Sequence, residues 1–161
     1  MVSSHVTPEP VAPSLDLIAR FRVTLGEPLE VGETHWGRRR VIPITGGEFS
    51  GPRLRGTVVP GGADWQVVHD DGTATIDTRY TLAAEGGALI SVATSGVRHG
   101  PPEVLDRLRR GKAVDPHTYY FRVAIRYETA STEHDWLNRV VAVGSAIRLA
   151  DEVVYDAYAV G

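Results

Sequence analysis

The 161-residue chain contains no cysteine, which excludes disulfide bonds, thiolate nucleophiles and cysteine-ligated metal sites. It also lacks any apolar run near the roughly 20 residues that a membrane-spanning helix needs. Its first residues lack the basic and then apolar segments of a signal peptide. The net charge of −3 provides no general attraction to nucleic acid. We therefore expect a cytoplasmic protein that binds neither nucleic acids nor membranes.

The common catalytic and cofactor-binding motifs are missing as well. The sequence has no Gly-x-Ser-x-Gly elbow and no HExxH pair, and its Gly-Gly pairs lack the strand–GxGxxG–helix context of a phosphate-binding loop. Its six histidines lie in or beside predicted turns at irregular spacing, which gives no reason to expect a metal site. We expect no metal and no cofactor, so any chemistry would use carboxylate, guanidinium, phenol and indole groups.

What the chain does contain is the pattern of an all-β protein. Short runs rich in Val, Ile, Thr and Tyr are separated by Gly, Pro and Asp clusters about ten residues apart, which is typical of a sandwich or barrel. The dipeptide Asp71-Gly72 is a strong hairpin signal. The predicted strands are 17–25, 39–44, 53–59, 65–69, 74–82, 88–97, 118–129, 140–149 and 153–160.

One helix is predicted, over residues 102–110. Pro102 suits its first turn, Glu103 complements the positive N-terminal end of the helix, and Gly111 is a natural stop. The first 14 residues are polar and rich in proline, which indicates a flexible arm. Residues 15–161 are then expected to form a single mainly antiparallel domain.

Two predicted strands carry ionisable residues at alternate positions, and alternate positions share one face of a strand. Asp77 and Arg79 share a face in one strand, and Tyr120, Arg122 and Glu128 share a face in the other. One interpretation is that these faces line the interior of a closed or nearly closed barrel. The alternative is a solvated outer face with polar pairs.

Inside a barrel, desolvation would raise the pKa of a carboxyl group and a nearby arginine would lower it, which can tune the group for acid–base catalysis. On the interior interpretation, Asp77 or Glu128 would move a proton, and Arg79, Arg98 or Arg122 would stabilise an oxyanion. The side chains expected to contact a substrate as donors or as an apolar wall are Tyr119, Tyr120, Trp65 and Trp136. The alternative role is a buried ion-pair network that fixes strand register.

A local basic cluster lies at the starts of the second and third predicted strands. It consists of Arg38, Arg39, Arg40, Arg53 and Arg55. The ordinary interpretation is that these are solvated residues at strand edges, and the alternative is that some of them contact an anionic ligand.

Ordered blocks of sequence from Leu15 onward resemble a known family. The blocks are Pro43-Ile44-x-Gly46-Gly47-x-Phe49-x-Gly51-Pro52, Gly56-x-Val58-x-Pro60-Gly61-Gly62-x-Asp64-Trp65, Asp71-Gly72, Asp77-x-Arg79-Tyr80, Gly96-x-Arg98-x-Gly100-Pro101, Val114-Asp115-Pro116, Tyr119-Tyr120-Phe121-Arg122, Glu128-Thr129 and Trp136-Leu137-Asn138. With them the chain resembles the small bacterial and fungal proteins grouped as domain of unknown function 3237.

The resemblance implies a β-barrel similar to the lipocalin-like and allene-oxide-cyclase-like barrels, self-associated as a homodimer or higher homo-oligomer. It implies little about activity, although some members lie among natural-product pathways. The matched blocks contain the site candidates Asp64, Trp65, Asp77, Arg79, Arg98, Tyr120, Arg122, Glu128 and Asn138.

The leading functional hypothesis is a cofactor-independent isomerase, cyclase or lyase that acts on a small oxygenated organic substrate inside the barrel. A second hypothesis is a non-catalytic barrel that binds a small carboxylated or hydroxylated ligand. A third is a structural or regulatory homo-oligomer whose charged strand faces are ion pairs.

Overall fold

A computed structural model describes residues 6–161 as an antiparallel sheet of nine strands with one α-helix. The elements are β1 (Leu15–Leu25), β2 (Leu29–Thr34), β3 (Gly37–Ser50), β4 (Arg55–Val68), β5 (Ala74–Ala84), β6 (Leu89–His99), α1 (Pro102–Arg109), β7 (Tyr120–Thr129), β8 (Val141–Arg148) and β9 (Glu152–Val160). Two short 3₁₀ turns, Pro116–Thr118 and Asp135–Arg139, precede β7 and β8.

The sheet closes because β3 is long enough to have two partners on the same edge. Its 14 residues pair first with β2 and then with β1, where Leu25 lies opposite Ile44 and Arg20 lies opposite Ser50. The remaining strands follow in the order β4 to β9, and β9 pairs with the other edge of β1. Eight strands thus form a closed antiparallel barrel, and β2 pairs only with the first residues of β3, beside β1. This confirms the predicted fold class.

Two predicted turns are β-bulges instead. The segments around Gly47 and Gly62 interrupt the β3–β4 and β4–β5 registers without ending the strands, so predicted strands 53–59 and 65–69 are one strand. A Cβ at Gly47 would lie 2.0 Å from the Arg22 carbonyl oxygen, and one at Gly62 would lie 2.1 Å from that of Arg79. Only glycine fits such close backbone approaches, and the bulges bend the strands into a small barrel.

The other local predictions mostly agree with the structure. The helix 102–110 is confirmed to within one residue, and Asp71-Gly72 lies in the turn between β4 and β5. Strand β2 was not predicted, since Gly32 and two glutamates weaken its apolar pattern. The count of nine strands is therefore correct for a partly different set of segments.

Residues 6–14 have no regular secondary structure and are exposed, while residues 1–5 lie outside the described part of the chain. The flexibility of this arm stays a prediction. Within residues 6–161 no helix is long and apolar enough to cross a membrane.

Antiparallel pairing gives the barrel two distinct ends. We call one the helix end: it holds α1, the β4–β5 hairpin 69–73 and the last residues of β6 and β8. The far end holds the 3₁₀ turn Asp135–Arg139 and the start of β1. Stacked rings fill part of the interior, with centroid separations of 4.9 Å between Phe21 and Phe49 and 4.7 Å between Phe21 and Tyr155.

Candidate functional site

The charged strand faces lie on the outside of the barrel. The candidates Asp77 and Arg79 of β5 are exposed, and so are the candidates Tyr120, Arg122 and Glu128 of β7. The interpretation that these faces line the interior is wrong, because the apolar residues at the intervening positions take the buried side of each strand. A catalytic role for the five residues stays a prediction, and this placement gives it no support.

Three other candidates are also remote from the interior. Trp65 points outward and is 39% exposed. Trp136 and Asn138 belong to the far end, where the Arg53 guanidinium lies 3.8 Å from the Trp136 ring centroid. The Asn138 amide accepts a hydrogen bond from the Thr129 N–H and donates one to its carbonyl, both 2.9 Å long. These contacts hold the 3₁₀ turn against the end of β7.

The barrel interior contains a chamber of about 60 Å³ toward its helix end, which adjoins a mouth of about 530 Å³. All eight barrel strands contribute to its wall. Both spaces are lined by Arg98 and Arg148, which therefore stand at the junction between chamber and mouth. The polar residues of the chamber wall are Asp64, Gln66, Thr78, Tyr80, Thr94, Arg98, Arg148 and Tyr155.

Asp64 is the carboxyl group of the chamber. It lies on β4 opposite Thr78 of β5 and is 9% exposed. Its Oδ1 accepts a hydrogen bond from the Asp77 backbone N–H at 3.0 Å, and its Oδ2 accepts one from Gln66 Nε2 at 3.1 Å. Burial raises the pKa of Asp64, against the opposing effects of these hydrogen bonds and of the positive charge on Arg98.

Three arginines surround this single carboxyl group. Arg98 is the last inward residue of β6 and Arg148 the last residue of β8, while Arg40 of β3 donates to Gln66 Oε1 at 2.9 Å. Burial lowers the pKa of Arg98 to about 10, and the charges of Arg148 and Arg40 act in the same direction. The guanidinium groups nevertheless remain charged at neutral pH.

The charges of Arg98 and Arg148 have no direct counter-ion in residues 6–161, where no carboxylate oxygen lies within 4 Å of either guanidinium. Arg148 Nη1 is buried and lacks a hydrogen-bond partner among these residues. The Arg148 backbone N–H donates to the hydroxyl of Tyr119 at 3.0 Å, which fixes the end of β8. Among the predicted candidates, Asp64, Arg98 and Tyr119 are thus brought together, with an excess of positive charge around them.

Helix α1 and the β4–β5 hairpin frame the mouth. Leu105 and Leu108 of the helix line it, and Leu108 is buried. A Cβ at Gly72 would lie 2.9 Å from Leu105 Cδ1, so the helix packs directly on the hairpin glycine. Within residues 6–161 no group of three or more His, Asp or Glu side chains is arranged to hold a metal ion.

Several interior residues were not among the sequence candidates. They are Gln66, Thr78, Tyr80, Thr94, Arg148 and Tyr155. Arg40 was named only in the basic cluster, as one of five possible contacts to an anionic ligand. A usable signal was present, namely a single polar residue on an otherwise apolar or small-residue strand face. Arg148, for example, follows Ala142, Gly144 and Ala146 on the inner face of β8.

Comparison with known proteins agrees with this architecture. A UPF0311 protein of Rhodopseudomonas palustris is 39% identical over 152 residues, which are 93% of this chain and 99% of the relative. The crystal structure of a protein of unknown function from the same organism superposes with a TM-score of 0.90 at 36% identity, covering 94% of this chain and all of the other. A β-barrel-like protein of Acinetobacter baumannii has 47% identity and a TM-score of 0.86, covering 96% of this chain and all of the other.

A more distant relative has a named activity. A hydroalkoxylation enzyme of Penicillium herquei is 27% identical over 136 residues, which are 84% of this chain and 76% of the enzyme. The model of the family described as "Protein of unknown function (DUF3237)" matches residues 13–160. The chain belongs to the DUF3237 family.

Proposed function

We propose that the barrel is a cofactor-independent acid–base catalyst that isomerises or cyclises a small, anionic, oxygenated organic molecule in its chamber. One observation carries the proposal. Asp64, a buried carboxyl group with a raised pKa, lines the same chamber as Arg98 and Arg148, and neither arginine has a carboxylate within 4 Å in residues 6–161.

The charge balance supports an anionic substrate. Burying a cation without a counter-ion is costly, so a site with surplus guanidinium groups favours a ligand that supplies negative charge. The planar donors of arginine match a carboxylate, enolate or phenolate oxygen. Because Arg98 and Arg148 stand where the mouth joins the chamber, the anionic group of the ligand would lie there and its apolar body would extend among Val23, Ile76 and Val123.

The same groups suit a redox-neutral proton transfer. Ionised Asp64 would take a proton from a C–H bond next to a carbonyl, whose electron pair moves onto the carbonyl oxygen, or from a hydroxyl group, whose oxygen keeps the pair. Arg98 would stabilise the resulting oxyanion. Asp64 would then return the proton to a different atom of the substrate, which leaves the enzyme in its starting state. A raised pKa brings Asp64 closer to neutrality, where a group that both accepts and returns a proton works best.

The named activity of the distant relative has the same requirement. Hydroalkoxylation adds an O–H bond across a C=C bond, so an oxygen loses a proton, a carbon gains one and an ether forms. Such an addition needs proton transfer and stabilisation of charge on oxygen. The relative therefore supports a catalytic barrel, at the 27% identity that it shares with this chain.

The test compares two aspartates that are close in the sheet but lie on opposite sides of it. Candidate substrates are carboxylated 2-prenylphenols and β,γ-unsaturated keto acids, with ring closure or double-bond migration followed by chromatography and NMR. Asp64→Asn should lower turnover by roughly 10²- to 10⁴-fold, the usual contribution of a general acid–base group. Asp77→Asn, on the exposed face of β5, should leave turnover unchanged.

The opposite result, loss of turnover in Asp77→Asn with full turnover in Asp64→Asn, would move the chemistry to the outer face. Binding of these compounds without any product would identify a non-catalytic ligand-binding barrel. Self-association and the cytoplasmic location stay predictions.

A further inference from the structure

Two tyrosines lie below the carboxyl group in the chamber. Tyr80 of β5 and Tyr155 of β9 both line the chamber, and their hydroxyl groups are hydrogen-bonded to each other. Tyr80 is the next inward residue after Thr78, which pairs with Asp64. Successive inward residues are about 7 Å apart along a strand, so Tyr80 belongs to the layer next to that of Thr78 and Asp64, on the side away from the mouth.

The hydrogen bonds of this layer are incomplete. A pair of hydroxyls has two hydrogens, and one hydrogen bond between them uses only one. A third phenol, Tyr127 of β7, is 3% exposed, and its hydroxyl has no hydrogen-bond partner among residues 6–161. Tyr80 and Tyr127 flank the same residue of β6, because both pair with Val92, so the two tyrosines lie at one level of the barrel. Buried hydroxyls without partners are uncommon because each has lost its hydrogen bonds to water without replacement.

We infer that the layer formed by Tyr80, Tyr155 and Tyr127 is a binding site for a neutral acceptor oxygen of the substrate, a carbonyl or ether oxygen. This inference rests on the proposed function and defines its substrate class. The substrate then has an anionic group at Arg98 and Arg148, an apolar body, and an acceptor oxygen one layer below Asp64. The tyrosine layer thereby determines which end of the molecule enters first and which bond faces the carboxyl group.

The protonation state of the tyrosines agrees with a donor role. Burial raises the pKa of each of the three phenols above its ordinary value. They therefore stay protonated across the physiological range and offer hydrogens rather than charge. Neutral phenols supply no counter-charge for a second buried anion, whereas an uncharged acceptor oxygen needs only a hydrogen bond.

The experiment uses three benzoates that separate the two ends of the site. Benzoate itself reports only on the anion site. 4-Acetylbenzoate adds a carbonyl oxygen, and 4-isopropenylbenzoate has nearly the same shape but a CH₂ group in place of that oxygen. Their dissociation constants are measured by calorimetry for the wild type, for the double variant Tyr80→Phe/Tyr155→Phe, and for Tyr158→Phe. Tyr158 is the matched control because it lies on the outer face of the same strand as Tyr155.

In the wild type we expect 4-acetylbenzoate to bind at least as tightly as 4-isopropenylbenzoate, because the tyrosines repay the desolvation of the carbonyl. The double variant should weaken 4-acetylbenzoate about tenfold and leave 4-isopropenylbenzoate and benzoate unchanged. Tyr158→Phe should change none of them. The infrared carbonyl stretch of bound ¹³C-labelled 4-acetylbenzoate should rise in frequency in the double variant as its hydrogen bond is lost.

Two results would overturn the inference separately from the proposed function. Weaker binding of 4-acetylbenzoate than of 4-isopropenylbenzoate in the wild type would mean that the layer does not receive the oxygen, and this comparison needs no variant. Equal weakening of all three benzoates in the double variant would indicate a packing role only. If benzoate itself fails to bind the wild type, the anion site is wrong and the inference falls with it.

Discussion

The polar residues on the two faces of β5 differ in their surroundings: those on the outer face are solvated, and the one on the inner face lines the chamber. The outer face carries Asp77 and Arg79 in water, whereas the inner face carries Thr78 between Ile76 and Tyr80 in a closed interior. The outer face of β5 therefore carries charged side chains, and its inner face carries none. A dense row of charged residues on a strand therefore indicates solvent, and an isolated polar residue on an apolar face indicates a site.

The two faces also differ in how their charges are neutralised. On the outside, Arg20 and Asp156 form an ion pair with a 2.7 Å contact, and Arg22 pairs with Glu152. On the inside, Arg98 has no such partner among residues 6–161. An exposed ion pair stabilises the fold only slightly, because each charge gives up contacts with water to form it. The buried Arg98 has lost water without gaining a carboxylate, so a bound anion would stabilise it.

The largest difference between a buried and an exposed position should appear in the free energy of unfolding. Leu82 is fully buried in the barrel, whereas Leu89 is 61% exposed. Leu82→Ala should lower the free energy of unfolding by about 2–5 kcal/mol, because it leaves a cavity in the core. Leu89→Ala should change it by less than about 0.5 kcal/mol. Urea unfolding of both variants measures the difference, and equal losses would contradict the inward assignment of the β5 face.

Anion binding should distinguish two arginines on neighbouring strands. Arg98 faces the chamber from β6, and Arg122 is exposed on the outer face of β7. We expect Arg98→Met to weaken benzoate binding about 10- to 100-fold, the value of one or two charge-assisted hydrogen bonds. Arg122→Met should leave it unchanged. Calorimetry at one fixed ionic strength provides the comparison, because salt screens exposed charges.

The stability of the protein should depend on pH through Asp64. Burial raises the pKa of Asp64 above the unfolded value of 3.8, so the folded protein keeps this proton at pH values where the unfolded chain has lost it. The stability that the neutral group contributes is present at low pH and is lost as the pH rises through the raised pKa.

Asp64→Asn, which cannot ionise, should therefore become more stable relative to the wild type as the pH rises from 4 toward neutrality. Denaturant midpoints of the two proteins at several pH values test this expectation. A difference between the two proteins that stays constant with pH would contradict a raised pKa of Asp64.

The smallest effect should come from an outer ion pair. A double-mutant cycle with Arg20→Ala and Asp156→Ala should give a coupling below about 1 kcal/mol, since the Arg20 side chain is 65% exposed. The coupling should shrink further at high salt. A larger coupling that is insensitive to salt would show that the outer face is less solvated than its exposure indicates.

Much of the fold could be predicted because alternation, hairpin chemistry and helix ends are local signals. The Asp71-Gly72 turn and the helix that begins at Pro102 depend on neighbouring residues only. The role of Gly47 and Gly62 could not be predicted in the same way. A Gly-Gly pair serves a turn or a bulge equally well, and only the carbonyl groups of Arg22 and Arg79 on adjacent strands decide between them.

The site was harder to predict from the sequence than the fold was. Asp64, Arg98 and Tyr119 were named as candidates, but the strands β5 and β7 were oriented by their charges rather than by their apolar residues. Applying the rule that the apolar side is buried to every strand would have selected Thr78 and Arg148. Which strands face one another across a barrel depends on closure between β1 and β3, and no local pattern encodes it.

The surplus of arginine around the chamber and its mouth makes the folding equilibrium depend on the ligand. Without a bound anion, Arg40, Arg98 and Arg148 repel one another in a poorly solvated space, and unfolding relieves that repulsion. A compound that supplies the missing negative charge binds the folded chain alone and shifts the equilibrium toward it by mass action. Thermal melting in the presence of a library of small organic acids should therefore rank candidate substrates before any reaction is known.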